Sequence, residues 1–159
     1  NVLLMNSPGR QFPNISYLLG LGFEFDSRSV VSADLNLDGR PDLLVVERAR
    51  DEDRKMYVNR VHLLGNHLKT GHNWVGVHLP FGAATVGAQV VVKSGKHRQV
   101  LPIVTGDSYN SQHAFTAHFG LGRALAVDEI LIHWTNGKVT RLENPAINQF
   151  HAVSVKNDQ

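Results

Sequence analysis

Hydrophobic residues in this 159-residue chain come in short runs, rich in β-branched side chains and separated by Gly, Asn and Pro. "SVVSA", "LLVVE", "NWVGVHL", "AQVVVKSG", "RQVLPIVTG", "EILIHWTNG", "KVTRLEN" and "FHAVSV" all read as strands. Several alternate, so that Val75, Val77 and Leu79 share one face, as do Ile130, Ile132 and Trp134. Asn136-Gly137 is expected to supply the positive φ angles of a tight hairpin turn, with Ser94-Gly95 doing the same one hairpin earlier. Gly106, Gly120 and Gly122 punctuate strands, where bulges or close backbone approaches are expected. "FPNISYLLGLG" has room for one helical turn and no longer helical pattern competes. The pattern predicts an all-β chain.

Its organisation is uneven. "LLMN" at residues 3–6 is echoed by "MYVN" at residues 56–59, a separation of 53 positions. A period of that length fits propeller-type β repeats, in which one unit cannot bury its face alone. "ERARDEDRK" at residues 47–55 is a mixed-charge, solvated loop, and the pattern changes around "LLGNHLKTGHN". We therefore divide the chain into residues 1–68, a partial repeat region, and residues 69–159, an antiparallel β-sandwich or barrel-like module.

Between two of the apolar runs lies "DLNLDGRPDLLVV", with Asp34, Asn36, Asp38 and Asp42 around Gly39. Three carboxylates so close repel one another unless a positive charge sits among them. Alternating oxygen-bearing side chains on a tight loop suit Ca2+, which takes six to eight oxygen ligands. Gly39 permits the sharp reversal that turns the carbonyl of Arg40 inward, and Asp42 closes the site from the next strand. Flanking helices and a Glu at loop position 12 would make an EF-hand, but that position is Val45 and the flanks are strands. The competing arrangement is a set of Asx turns without an ion.

Composition narrows the chemistry. Sixteen Lys and Arg against fourteen Asp and Glu leave a formal charge of +2, too small an excess to argue for nucleic acid. No run approaches the roughly 18 apolar residues of a spanning helix, so no membrane span is expected. The chain has no Cys, which removes disulfides and thiolate chemistry. Nine His include no His-Glu-x-x-His pattern. Ser108, Ser111 and His113 are close in sequence but lack a nucleophile elbow, and "FGLGRAL", with two glycines of a dinucleotide fingerprint, reads as a turn. The expectation is a protein that is not an enzyme. "GDSYNSQ" gathers polar side chains around Tyr109, and Trp74 alternates with Gly76 and His78 on the face opposite Val75 and Val77. Trp74 and Tyr109 are thus candidate ligand-binding aromatics, for a glycan in particular.

The Asp-rich stretch, with "YVN" at residues 57–59, resembles the FG-GAP/VCBS family of β-propeller repeats. Residues 73–155 resemble the ASPIC/UnbV family through "NWVGVHL", "VGAQVVV", "VTGDSYNSQ", "HFGLG", "VDEILIHWTNG" and "LENPAINQ"; Trp134 is followed by Thr135 where that family usually has Pro. The two are paired in exported bacterial and cartilage acidic protein-like chains. The resemblance implies a loop ion that braces the repeat, held by the side chains of Asp34, Asn36, Asp38 and Asp42 and the carbonyl of Arg40. It also implies an extracytoplasmic setting (secreted, cell-surface or periplasmic) and no catalytic residues. The resulting expectation is a calcium-stabilised protein–protein interaction or assembly module, the C-terminal part of a larger chain or a subunit of a complex or polymer. Its partner is a protein or another copy, and the alternative is a carbohydrate-binding or adhesion module.

Overall fold

The computed structural model describes residues 1–6, 9, 11–106 and 108–155. Ten strands and no helix are present among them: β1 (Ser27–Ala33), β2 (Asp42–Asp51), β3 (Met56–Leu64), β4 (Asn73–His78), β5 (Gln89–Ser94), β6 (His97–Pro102), β7 (Thr116–Gly122), β8 (Glu129–His133), β9 (Val139–Glu143) and β10 (Phe150–Ala152). They form three sheets, in the orders β1-β2-β3, β10-β4-β7 and β6-β5-β8-β9. The "FPNISYLLGLG" stretch makes a single turn, in which Leu19 N–H donates to the Ile15 carbonyl at 3.1 Å.

The second and third sheets pack face to face as a sandwich. Alternation puts Val75 and Val77 of β4 and Ala117 and Phe119 of β7 on one inner face. Val90 and Val92 of β5 and Ile130 and Ile132 of β8 meet them from the other, and all eight join one buried cluster. Trp134 closes one end, its indole N–H donating to Thr140 Oγ1 at 2.8 Å, so the ring is buried without stranding a donor. On the outer face, Glu129 and Glu143 stand opposite each other across β8 and β9. Such like charges repel, and Arg141 offsets this by lying 2.7 Å from Glu129 and 3.2 Å from Glu143. Lys93 also bonds Glu129, and that hydrogen bond is the main reason its pKa falls below the ordinary value.

Five local features differ from the sequence expectation. "ERARDEDRK" is not all loop, since residues 47–51 continue β2 and bury Ala49. At the β8–β9 hairpin only Gly137 has positive φ, at 83°, because Gly137 N–H closes back on the Trp134 carbonyl and leaves a three-residue loop. At the β5–β6 hairpin the loop is Gly95-Lys96, with positive φ at its first position. "FGLG" is no turn: Phe119 to Gly122 continue β7, and the register slips by one residue where Asn73 and Trp74 face Gly122 and Gly120. The sandwich is also not wholly antiparallel, since β10 pairs with β4 in parallel.

The first sheet is an antiparallel meander with a thinner core, in which Val45 and Ala49 are the buried apolar residues. Phe23, Phe25 and His62 stack on one another at 4.9 and 4.4 Å. Residues 65–72 link β3 to β4.

Because the sandwich core is one continuous cluster, Ile132→Ala is expected to destabilise it by about 2–5 kcal/mol, read as a lower urea midpoint. A loss under about 1 kcal/mol would mean that the two sheets do not depend on each other.

Candidate functional site

The 34–42 loop folds around its own acidic side chains. Asp34 accepts the Asp38 N–H at 3.0 Å on one oxygen and the Gly39 N–H at 2.8 Å on the other. Asn36 Oδ1 accepts the Asp38 N–H at 3.2 Å, while its Nδ2 donates to Asp38 Oδ2 at 2.8 Å. Asp38 accepts the Arg40 N–H at 3.0 Å and pairs with the Arg40 guanidinium. Asp42 is buried, and takes the Leu35 N–H at 3.1 Å and the Asn66 N–H at 2.8 Å. Turns are what short acidic side chains favour, because they replace the bonds that a sharp bend denies the backbone. Leu37 and Gly39 carry the bend, with φ of 60° and 84°.

The donor set suits a hard cation, since each carboxylate oxygen that accepts one N–H retains a second lone pair. The arrangement itself is that of linked Asx turns. Asn36 presents its amide nitrogen to Asp38, and Arg40 already compensates that carboxylate. Among the described residues no three His, Asp or Glu side chains are grouped so as to hold a metal ion.

Sequence reading did not foresee where this loop sits. Gly39 lies against the indole of Trp74, so closely that a Cβ there would come within 1.9 Å of Nε1. His118 on β7 donates from Nε2 to the Gly39 carbonyl at 3.1 Å. Its ring stacks on Trp74, with centroids 5.0 Å apart and planes 12° from parallel. Arg40 Nε adds a bond to the Asn66 carbonyl at 2.9 Å, and Asn66 Nδ2 one to Pro41 at 3.2 Å, which tie the loop to the linker. Burial lowers the pKa of His118 from its ordinary 6.5, against smaller raising effects of the Gly39 carbonyl and Asp34. His118 and Asn66 are the residues that spacing concealed, lying far from the loop in sequence.

The candidate aromatics have separate fates. Trp74 is engaged within the molecule, stacked on His118 and edge-on to Phe150 at 4.9 Å. Tyr109 is exposed in a loop whose Ser108 Oγ accepts the Val30 N–H of β1 at 3.1 Å. Asp107 of the same "GDSYNSQ" stretch lies outside the described residues. No ring contact joins Tyr109 to Trp74 among the described residues.

Residues 82–159 match the family model described as ASPIC and UnbV. The match covers the C-terminal part of the chain, from the loop after β4 onward, in agreement with the resemblance of that part. No curated protein matches the chain. No helix among the described residues is long and apolar enough to cross a membrane.

Two outcomes follow from this seat. Gly39→Ala places a methyl in the indole at an unfavourable φ, and should cost about 1–3 kcal/mol, with a shift in tryptophan emission. Unchanged stability and emission would refute the close approach. His118 binds a proton less readily folded than unfolded, so its contribution is complete above pH 6.5 and is lost as pH falls toward its lowered folded value. Thermal melts across pH 5 to 8 should therefore show a smaller acid loss in His118→Gln than in the parent.

Proposed function

We propose that this chain is a non-catalytic, calcium-braced assembly module that works outside the cytoplasm and associates with further copies of itself. The observation that carries the reading is an apolar row on an edge strand. Tyr57, Val61 and Leu63 share one face of β3 and all are well exposed, at 57%, 66% and 62%. The neighbouring β2 adds Leu44 and Val46 to that face. A nine-residue edge strand with an apolar face is a template for pairing or packing with another sheet. Its length of nine residues favours a second strand or sheet as occupant. The propeller-type repeat resemblance supports the same conclusion, because a single repeat leaves its face uncovered.

In this reading calcium is a brace. Asp34, Asn36, Asp38, Asp42 and the Arg40 carbonyl would hold it, and it would supply positive charge among carboxylates that otherwise repel. Asn36 would turn its carbonyl oxygen toward the ion, and the Arg40 guanidinium would give up Asp38. An affinity of about 10⁻⁴ M, typical of extracellular modules, would keep the loop filled in millimolar extracellular calcium. The extracytoplasmic setting rests on the resemblance of both modules.

Sedimentation velocity and thermal unfolding, each with millimolar calcium and then with chelator, test both halves together. At calcium about 10-fold above Kd, stabilisation of about 1.4 kcal/mol is expected, and the protein should sediment above monomer. Val61→Lys should return it to monomer with its melting temperature little changed. A monomer at all concentrations overturns the assembly reading, and melting indifferent to calcium overturns the brace.

A further inference from the structure

Gly76 occupies the middle of the outer face of the β10-β4-β7 sheet. Phe150 lies across it so closely that a Cβ at Gly76 would meet Cδ1 at 2.1 Å. The same registers put His118 opposite Gly76 and Thr116 opposite His78. His78 stacks on Phe150 with centroids 4.4 Å apart and planes 21° from parallel, and its Nδ1 lies 3.1 Å from Thr116 Oγ1. The outer face is thus an aromatic floor. The 34–42 loop covers its Trp74 end, and beyond the loop the floor opens into a cleft of about 510 Å³. Asp34 and His113 reach this cleft from its walls.

We propose that the cleft binds a sugar, a neutral ring stacked through a C–H face on the Phe150–His78 pair with its hydroxyls bonded to Asp34, His113 and Thr116. The volume lies within the roughly 300–1,000 Å³ of small-molecule sites. An aromatic pair of which His78 is exposed and Phe150 half-buried, beside polar groups, serves a ligand that is apolar on one face and hydroxylated at its edge. Each oxygen of Asp34 accepts one backbone N–H and keeps a lone pair, so that one oxygen can serve the loop ion and the other a hydroxyl donor. Imidazole and hydroxyl groups both donate and accept, as a polyol requires.

The charges exclude the nearest alternatives. An anion would face the Asp34 carboxylate, and no Lys or Arg is among the described residues that line the cleft. A purely apolar ligand would cut that carboxylate off from solvent and leave its remaining lone pairs unpaired. Among the described residues that line the cleft, no three His, Asp or Glu side chains are grouped so as to hold a metal ion. The floor belongs wholly to the second module, so the proposal does not rest on the assembly reading.

The test is an NMR titration of the ¹⁵N-labelled full chain with glucose, galactose, N-acetylglucosamine, cellobiose and lactose, with succinate as an anionic control. We expect saturable shifts from at least one saccharide at the amides around Gly76, His118 and Phe150. Because a stacking contact is worth about 0.5–1.5 kcal/mol, His78→Ala should weaken that binding about fivefold, and Tyr109→Ala should leave it unchanged. His78→Gln, which keeps a polar side chain but not the ring, should weaken it as well, and settles the case in which the alanine variant unfolds. The proposal is overturned by the absence of any saturable shift up to about 50 mM, far above weak-complex affinities. It is equally overturned by shifts confined to the Tyr109 loop, by undiminished binding in the His78 variants, or by succinate binding more tightly than every sugar.

Discussion

The backbone of Gly39 touching the indole of Trp74 is the constraint on which the architecture turns. That contact demands a residue with no Cβ and with φ near 84°, and only glycine meets both conditions cheaply. Once Gly39 is seated, its carbonyl lies within reach of His118, and the indole and imidazole stack beneath it. The acidic side chains then serve two ends. They satisfy the amides of a bend too sharp for backbone bonding, and through Asp42 and Asn66 they anchor that bend to the linker.

The two halves of the chain are held by different physics. The sandwich has an apolar core to which both sheets contribute, and Trp134 and Thr140, buried beside it, are paired. The first sheet buries only Val45 and Ala49 as apolar residues among those described. Its order leans more on hydrogen bonds within the 34–42 loop, on stacked Phe and His rings, and on contacts with the sandwich. Regions with few buried apolar contacts open at lower free energy than the core. The joint at Gly39 is therefore where the less stable half borrows rigidity from the more stable one.

Much of this was legible in the sequence because strand periodicity is a local property. Val75, Val77, Ile130 and Ile132 alternate, and alternation alone assigns their face. The Asp34, Asn36, Asp38 and Asp42 spacing likewise announced a tight polar loop. Hidden features were those in which distant residues meet. "FGLG" looked like a turn because Gly normally weakens strands, yet in β7 Gly120 and Gly122 flank a register slip against β4. Trp74 looked like an open platform because nothing in its neighbourhood reveals that Gly39 will cover it. The positive φ at Gly137 but not at Asn136 depends on the loop having three residues rather than two, which the dipeptide does not specify.

The parallel pairing of the three-residue β10 with β4 carries a consequence for synthesis. Every other described strand of the sandwich pairs in antiparallel fashion, but β4 must wait for β10, which emerges after the other nine described strands. Contacts between segments so far apart in the chain form slowly, and translation delivers residues at only about 5–20 per second. During that interval Gly76 and its neighbours on the outer face lack their Phe150 cover, and one edge of β4 is unpaired. A nascent chain of this kind is most exposed to mispairing just before β10 arrives, and the ring that completes the aromatic floor also ends that exposure.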